Sequence, residues 1–169
     1  MKPLIAVLLI IALSHALQGQ NKQEKKAAEA QAYLYLKELV ATGVFTFSAD
    51  WATTQQGNRI NLQGNPNSLK FTEDKIIADL PFFGVTQVPS TDGRGGIYFE
   101  VEKPEIKTDF NDKKQRIELK FIGKNKTESL SCTLSLFKNN TARLQIFSSS
   151  RNAITYDGRL LKPEPDTEK

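Results

Sequence analysis

The chain has 169 residues, with 23 Lys and Arg against 19 Asp and Glu, one His and one Cys. That length is enough for one domain with a real core, and the mild, interspersed charge excludes the basic tracts that follow a phosphate backbone. A single cysteine excludes an intramolecular disulfide, and with it the stapled frameworks of small extracellular domains.

Met1 and Lys2 make a short positive start, and Pro3 to Leu13 is an apolar run. Ser14-His15-Ala16 then places small residues where a signal peptidase reads. The run is far shorter than the roughly 20 residues that cross a bilayer. Residues 1–19 are therefore expected to be a cleaved signal peptide, leaving no membrane span. No Cys stands near the cleavage region to carry a lipid. Export without disulfides fits the periplasm or outer surface of a Gram-negative bacterium. The sequons Asn125-Lys126-Thr127 and Asn139-Asn140-Thr141 read as chance occurrences in turns.

Residues 20–26 form a polar lead-in. From Ala27 to Thr42 the spacing becomes helical, with Ala28, Ala32, Leu36, Leu39 and Val40 on one stripe and Gly43 as C-cap. Beyond Gly43 the period switches to two. Phe45, Phe47, Ala49 and Trp51 alternate with polar residues, as do Ile97, Phe99 and Val101. The same holds for Ile117, Leu119 and Phe121, for Leu130, Cys132, Leu134 and Leu136, and for Ala142, Leu144 and Ile146. Arg59 to Leu62, Leu69 to Phe71 and Lys75 to Leu80 are further strands. Asn111-Asp112-Lys113-Lys114, Gly123-Lys124-Asn125 and Asn139-Asn140 carry hairpin-turn chemistry. Phe82 to Gly96 is irregular, Asp157-Gly158 turns or interrupts the last strand, and the tail 162–169 is Pro- and Glu-rich and expected to be disordered.

Strands with one dry and one wet face belong to antiparallel sheets, and the gaps are too short for parallel crossovers. The fold class is mainly β (α+β): one domain over 27–161, with an N-terminal helix packed on a strongly curved antiparallel sheet or barrel of about 8–10 short strands. A two-sheet β-sandwich is the alternative.

Chemistry is mostly excluded. The one histidine, His15, lies in the leader, so the mature chain has no imidazole for a Ser–His or Cys–His system. Zinc sites draw on His and Cys, so no metal and no cofactor is expected. Cys132 is in phase with core leucines and reads as a buried structural thiol. Ser135-Leu136-Phe137-Lys138 has the Ser-x-x-Lys spacing of some serine enzymes, but Ser135 falls on the wet face of a strand and the companion motifs are missing. Gly93-Arg94-Gly95-Gly96 leads into a strand rather than a helix, so it reads as a loop and not a phosphate cradle. Asp50, Asp79, Glu100, Glu102, Asp109, Glu118 and Asp157 are scattered acids with no spacing that selects a catalytic pair. No enzymatic activity and no nucleic-acid partner is expected.

Several segments together resemble one known family: Phe45-Thr46-Phe47-Ser48-Ala49-Asp50-Trp51, Leu80-Pro81-Phe82-Phe83-Gly84, Gly95-Gly96-Ile97-Tyr98-Phe99, and the stretch from Phe147 through Arg151 and Tyr156 to Gly158. They are similar, in order over about Ala30 to Leu161, to the exported Bacteroidetes family catalogued as domain of unknown function four-two-five-one. The resemblance implies a periplasmic or outer-surface helix-plus-β domain, and no activity.

The aromatic load of a curved sheet points to a non-catalytic exported binding module for a small apolar ligand or lipid. Trp51, Phe82, Phe83, Tyr98, Arg151 and Tyr156 are its candidate ligand-binding residues. The alternative is an envelope structural or interaction protein that presents a surface or strand edge to a protein partner.

Overall fold

A computed structural model describes residues 23–64, 67–86 and 95–161. The expected signal peptide over 1–19, the expected disordered tail over 162–169 and residues 87–94 fall outside them. Within them the chain forms one helix, α1 over 23–42, followed by strands. These are β1 Phe45–Thr54, β2 Arg59–Asn61, β3 Ser68–Phe71, β4 Lys75–Leu80 and β5 Ile97–Glu102. After them come β6 Lys107–Asn111, β7 Arg116–Lys124, β8 Ser129–Phe137, β9 Thr141–Ser148 and β10 Ile154–Leu161.

The helix reaches back into the polar lead-in as far as residue 23, and that first turn is exposed. Tyr33, Leu36 and Leu39 carry its buried face, whereas Leu34, Tyr35 and the expected stripe residue Ala28 stay in solvent. Only the second half of α1 meets the sheet. Its end is fixed as expected: Gly43 takes a φ of 68°, and its N–H donates to the Val40 carbonyl at 3.1 Å. A left-handed residue there costs glycine nothing.

All the strands lie in one antiparallel sheet of order β5-β4-β3-β1-β10-β9-β8-β7-β6, with β2 also paired to β1. The sheet is strongly curled into a half-barrel, so the curved-sheet expectation holds and the sandwich does not. Two devices in β1 produce the bend. One edge of β1 is shared, Phe45–Ser48 pairing with β3 and Trp51–Thr53 with β2. On the other edge the register with β10 slips between Ala49 and Trp51. An extra residue on one strand increases local twist and re-aims side chains. Asn67 stitches the split, its Nδ2 donating to the Ala49 carbonyl at 2.7 Å.

The concave face holds the core. Phe45 stacks on Phe71 at 4.3 Å between centroids, Phe71 meets Phe121 edge-on at 5.6 Å, and Phe121 meets Phe99 at 6.5 Å. These rings fill the trough rather than line a calyx. The helix crosses one end of it. Tyr33 Oη donates to Asp112 Oδ1 at 2.9 Å, Lys37 pairs with the same carboxylate at 2.6 Å, and Lys138 pairs with Glu29 at 2.5 Å. Among the described residues no helix is long and apolar enough to cross a membrane.

Candidate functional site

Arg151, Phe82 and Tyr156 come together at the end of the half-barrel away from Asp112, and internal bonds occupy them. Arg151 forms a buried ion pair with Glu128, through Nη2 to Oε1 and through Nε to Oε2 at 2.9 Å. The two side chains are only 8% and 2% exposed. Arg151 Nη1 donates to the Gly96 carbonyl at 3.2 Å, and its guanidinium lies 4.7 Å from the centre of the Phe82 ring. Tyr156 is fully buried and donates its hydroxyl to the Pro81 carbonyl at 2.8 Å. Phe83 packs against the core, and the Tyr98 carbonyl accepts from Asn125 Nδ2 at 3.2 Å. The Arg151 cluster clasps four segments: the one after β4, the start of β5, the β7–β8 turn and the β9–β10 loop.

Trp51 stands apart, on the convex face. The β1 slip turns Asp50 and Trp51 outward side by side, where Arg59 lies 4.5 Å from the Trp51 ring centre. Asp50 pairs with Arg159 at 2.8 Å and Asp157 with Arg143 at 2.7 Å, around a shallow cavity of about 410 Å³. The fold thus gathers two of the scattered acids, each already matched to an arginine. The Arg143 and Arg159 guanidiniums are held more basic than usual by those carboxylates.

Cys132 is 1% exposed, and burial pushes its thiol up to about 12. Ser135 lies in the outward phase of β8, as expected, but is only 9% exposed there, flanked in register by Glu118 and Arg143. Among the described residues no group of three or more His, Cys, Asp or Glu is arranged to hold a metal ion.

A concavity lies where the half-barrel fails to close. At the seam between β5 and β7, Phe99 packs so tightly on Gly123 that a Cβ there would sit 2.5 Å from the ring. Asn125 ties the same end to Tyr98. Towards the β5–β6 connection the seam holds a groove of about 700 Å³. Its lining alternates Lys103, Lys107, Lys120 and Lys124 with apolar Val101, Pro104, Ile106 and Ile122, and contains one carboxylate, Glu105. Ile106 and Ile122 are 39% and 45% exposed. None of these residues is a candidate binding residue on the sequence alone, where the lysines are spaced through two strands and a connection. In β7 the alternation that buries Ile117, Leu119 and Phe121 also turns Lys120, Ile122 and Lys124 outward. An isoleucine in that outward phase is the one local signal.

A helix-capped, curled antiparallel half-barrel with an open, amphipathic seam is a scaffold with a concave groove. The chain belongs to the DUF4251 family, a domain of unknown function, whose model matches residues 27–160. A crystal structure of a DUF4251 family protein from Bacteroides eggerthii DSM 20697 is similar in fold, with a TM-score of 0.61 at 22% identity. The match covers 80% of this chain and 90% of that one. Comparison with curated proteins finds no match.

Proposed function

We propose that the protein is a non-catalytic, exported binding module that holds a small apolar ligand or lipid in the open seam of the half-barrel. The observation that carries this reading is the groove of about 700 Å³ with two exposed isoleucines in its lining. That volume falls among those of small-molecule sites, and such sites are concave and largely apolar with a few polar groups. The ligand site thus moves from the aromatic residues to the seam, because Arg151, Tyr156 and Phe82 are engaged with one another and with the backbone. A non-catalytic role is supported by the lack of histidine in the chain beyond His15 and by the arginine partners of Asp50 and Asp157.

The test is native mass spectrometry of the protein purified gently from the envelope of its own cells, followed by solvent extraction. A reproducible extra mass released by organic solvent supports the module and gives its ligand. A bare chain from several preparations, which also takes up no added amphiphile, overturns it.

A second reading rests on β6. This edge strand is exposed along nearly its whole length, with Phe110 46% exposed. An uncovered edge is where a partner adds a strand, as an envelope interaction protein would use it.

A further inference from the structure

The seam groove combines three features that a purely apolar ligand leaves unexplained. The first is charge. Four lysines line it against the single carboxylate of Glu105. Among the described residues Lys103, Lys107 and Lys124 make no ion pair, and Lys120 only reaches Glu118 at 3.5 Å, a carboxylate that Arg116 already holds at 2.9 Å.

The second is register. Lys107 of β6 stands directly opposite Lys120 of β7. Cross-strand partners in an antiparallel pair share a face with their Cβ atoms about 5 Å apart, and like charges so placed repel. The fold sets two lysines side by side in the lining of the seam groove.

The third is backbone conformation. Lys103 has a φ of 47°, in the left-handed region, and its N–H donates to the Asp74 carbonyl at 2.6 Å. A long, non-glycine side chain in that region is uncommon and costs about 1 kcal/mol or more. Here it starts the connection that walls the groove, Lys103 through Ile106. Beside these cations lie the exposed side chains of Ile106 and Ile122.

We infer that the groove takes an anionic amphiphile: a single acyl chain laid against Ile106 and Ile122, with its carboxylate or phosphate head between Lys107 and Lys120 and within reach of Lys103 and Lys124. This inference rests on the binding-module reading and adds the charge of the ligand to it. An anion between two opposed lysines converts their repulsion into two charge-assisted contacts. Apolar contact with the isoleucines anchors the chain and favours a molecule with a tail over a free anion.

Binding of monomeric myristate, dodecyl phosphate and uncharged monomyristoylglycerol to the full chain, by calorimetry at low salt, tests it. The expected result is that both anions bind roughly tenfold or more tighter than the glyceride, as loss of one charge-assisted contact implies. The Lys107→Gln, Lys120→Gln double variant then removes that preference. Both side chains are solvent-exposed, and their removal relieves a repulsion, so the variant keeps its circular dichroism spectrum. Equal affinity for anions and glyceride, or an anion preference that survives in the double variant, overturns the inference and leaves the binding module standing. Binding of inorganic phosphate as tight as dodecyl phosphate also overturns it, as does uptake by anionic vesicles without uptake of the monomers. If no amphiphile binds, the inference and the module fall together.

Discussion

Gly158 of β10 packs against the Ser48–Ala49 peptide of β1: a Cβ on Gly158 would come 2.0 Å from the Ser48 carbonyl oxygen and 2.8 Å from the Ala49 Cα. The obstacle is backbone, at the point where the β1–β10 register slips. Gly158→Ala must therefore push two central strands apart. The expected cost is about 3 kcal/mol, at the upper end for overpacking, read as a lowered urea midpoint. Gly123→Ala meets first the Phe99 ring, a side chain. It is expected to cost less than Gly158→Ala, and the reverse order would contradict the placement of the slip.

The Arg151–Glu128 pair is buried and joins segments distant in sequence. Removing one partner strands the other charge in a dry setting, which costs about 3–5 kcal/mol. Arg151→Met and Glu128→Gln are each expected to destabilise in that range, and the double variant by clearly less than their sum. Additive losses in the double-mutant cycle would show that the two side chains do not interact.

Tyr156 donates its hydroxyl to the Pro81 carbonyl. Tyr156→Phe keeps the ring and loses that bond, with an expected cost of about 1 kcal/mol. Because the bond ties β10 to the segment after β4, amide exchange is expected to rise in residues 82–86 before it rises in the core strands. Exchange that rises uniformly would refute a local tether.

Alkaline pH is expected to loosen the fold. Burial pushes the Cys132 thiol from an ordinary 9.0 up to about 12. Burial, with the bond to Asp112, raises the Tyr33 phenol from 10.0 to about 12, and burial raises the Tyr156 phenol too. The folded chain thus keeps protons that the unfolded chain releases. Stability is whole below the unfolded value near 9 and is lost as pH climbs towards 12. Cys132 alone contributes a slope of about 1.4 kcal/mol per pH unit across that window. The urea midpoint should hold to about pH 8 and fall steadily above it, and a flat profile to about pH 11 would refute this. Over the same range the native thiol should ignore maleimide that labels it at once in urea.

The fold was largely legible because half-buried strands alternate with period two. Lys75 to Leu80 is a strand with the boundaries its pattern predicts, and β7, β8 and β9 each surround the alternating residues that mark them. Where alternation fails, the sequence is mute. Lys107–Asn111 carries no apolar phase because β6 lies exposed at an edge, so only the turn after it points to a strand. Asp157-Gly158 reads as a turn or a break, yet β10 runs straight through it. The glycine there answers to a neighbouring strand, which local chemistry cannot reveal.

The candidate site was legible only in its composition. The aromatic pattern of the sequence points to Trp51, Phe82, Phe83, Tyr98, Arg151 and Tyr156, and the fold uses Phe82, Arg151 and Tyr156 to hold itself together. The seam lysines belong to a connection and two strands, and Lys107 meets Lys120 only through pairing register. In sequence they are ordinary surface charges.

The middle of the sheet is made by the two ends of the domain, since β1 pairs with β10 and Thr46 sits opposite Leu161. Every strand between them can form hairpins with its neighbours, but none of those hairpins completes the bend. Closing so long a loop carries a large entropic cost before any contact offsets it. A chain emerging from a ribosome or a translocon would therefore stay open until its last strand had cleared the exit. The bend would be completed only once the whole domain was free, and truncation just before β10 would leave its hairpins without the pairing that joins them.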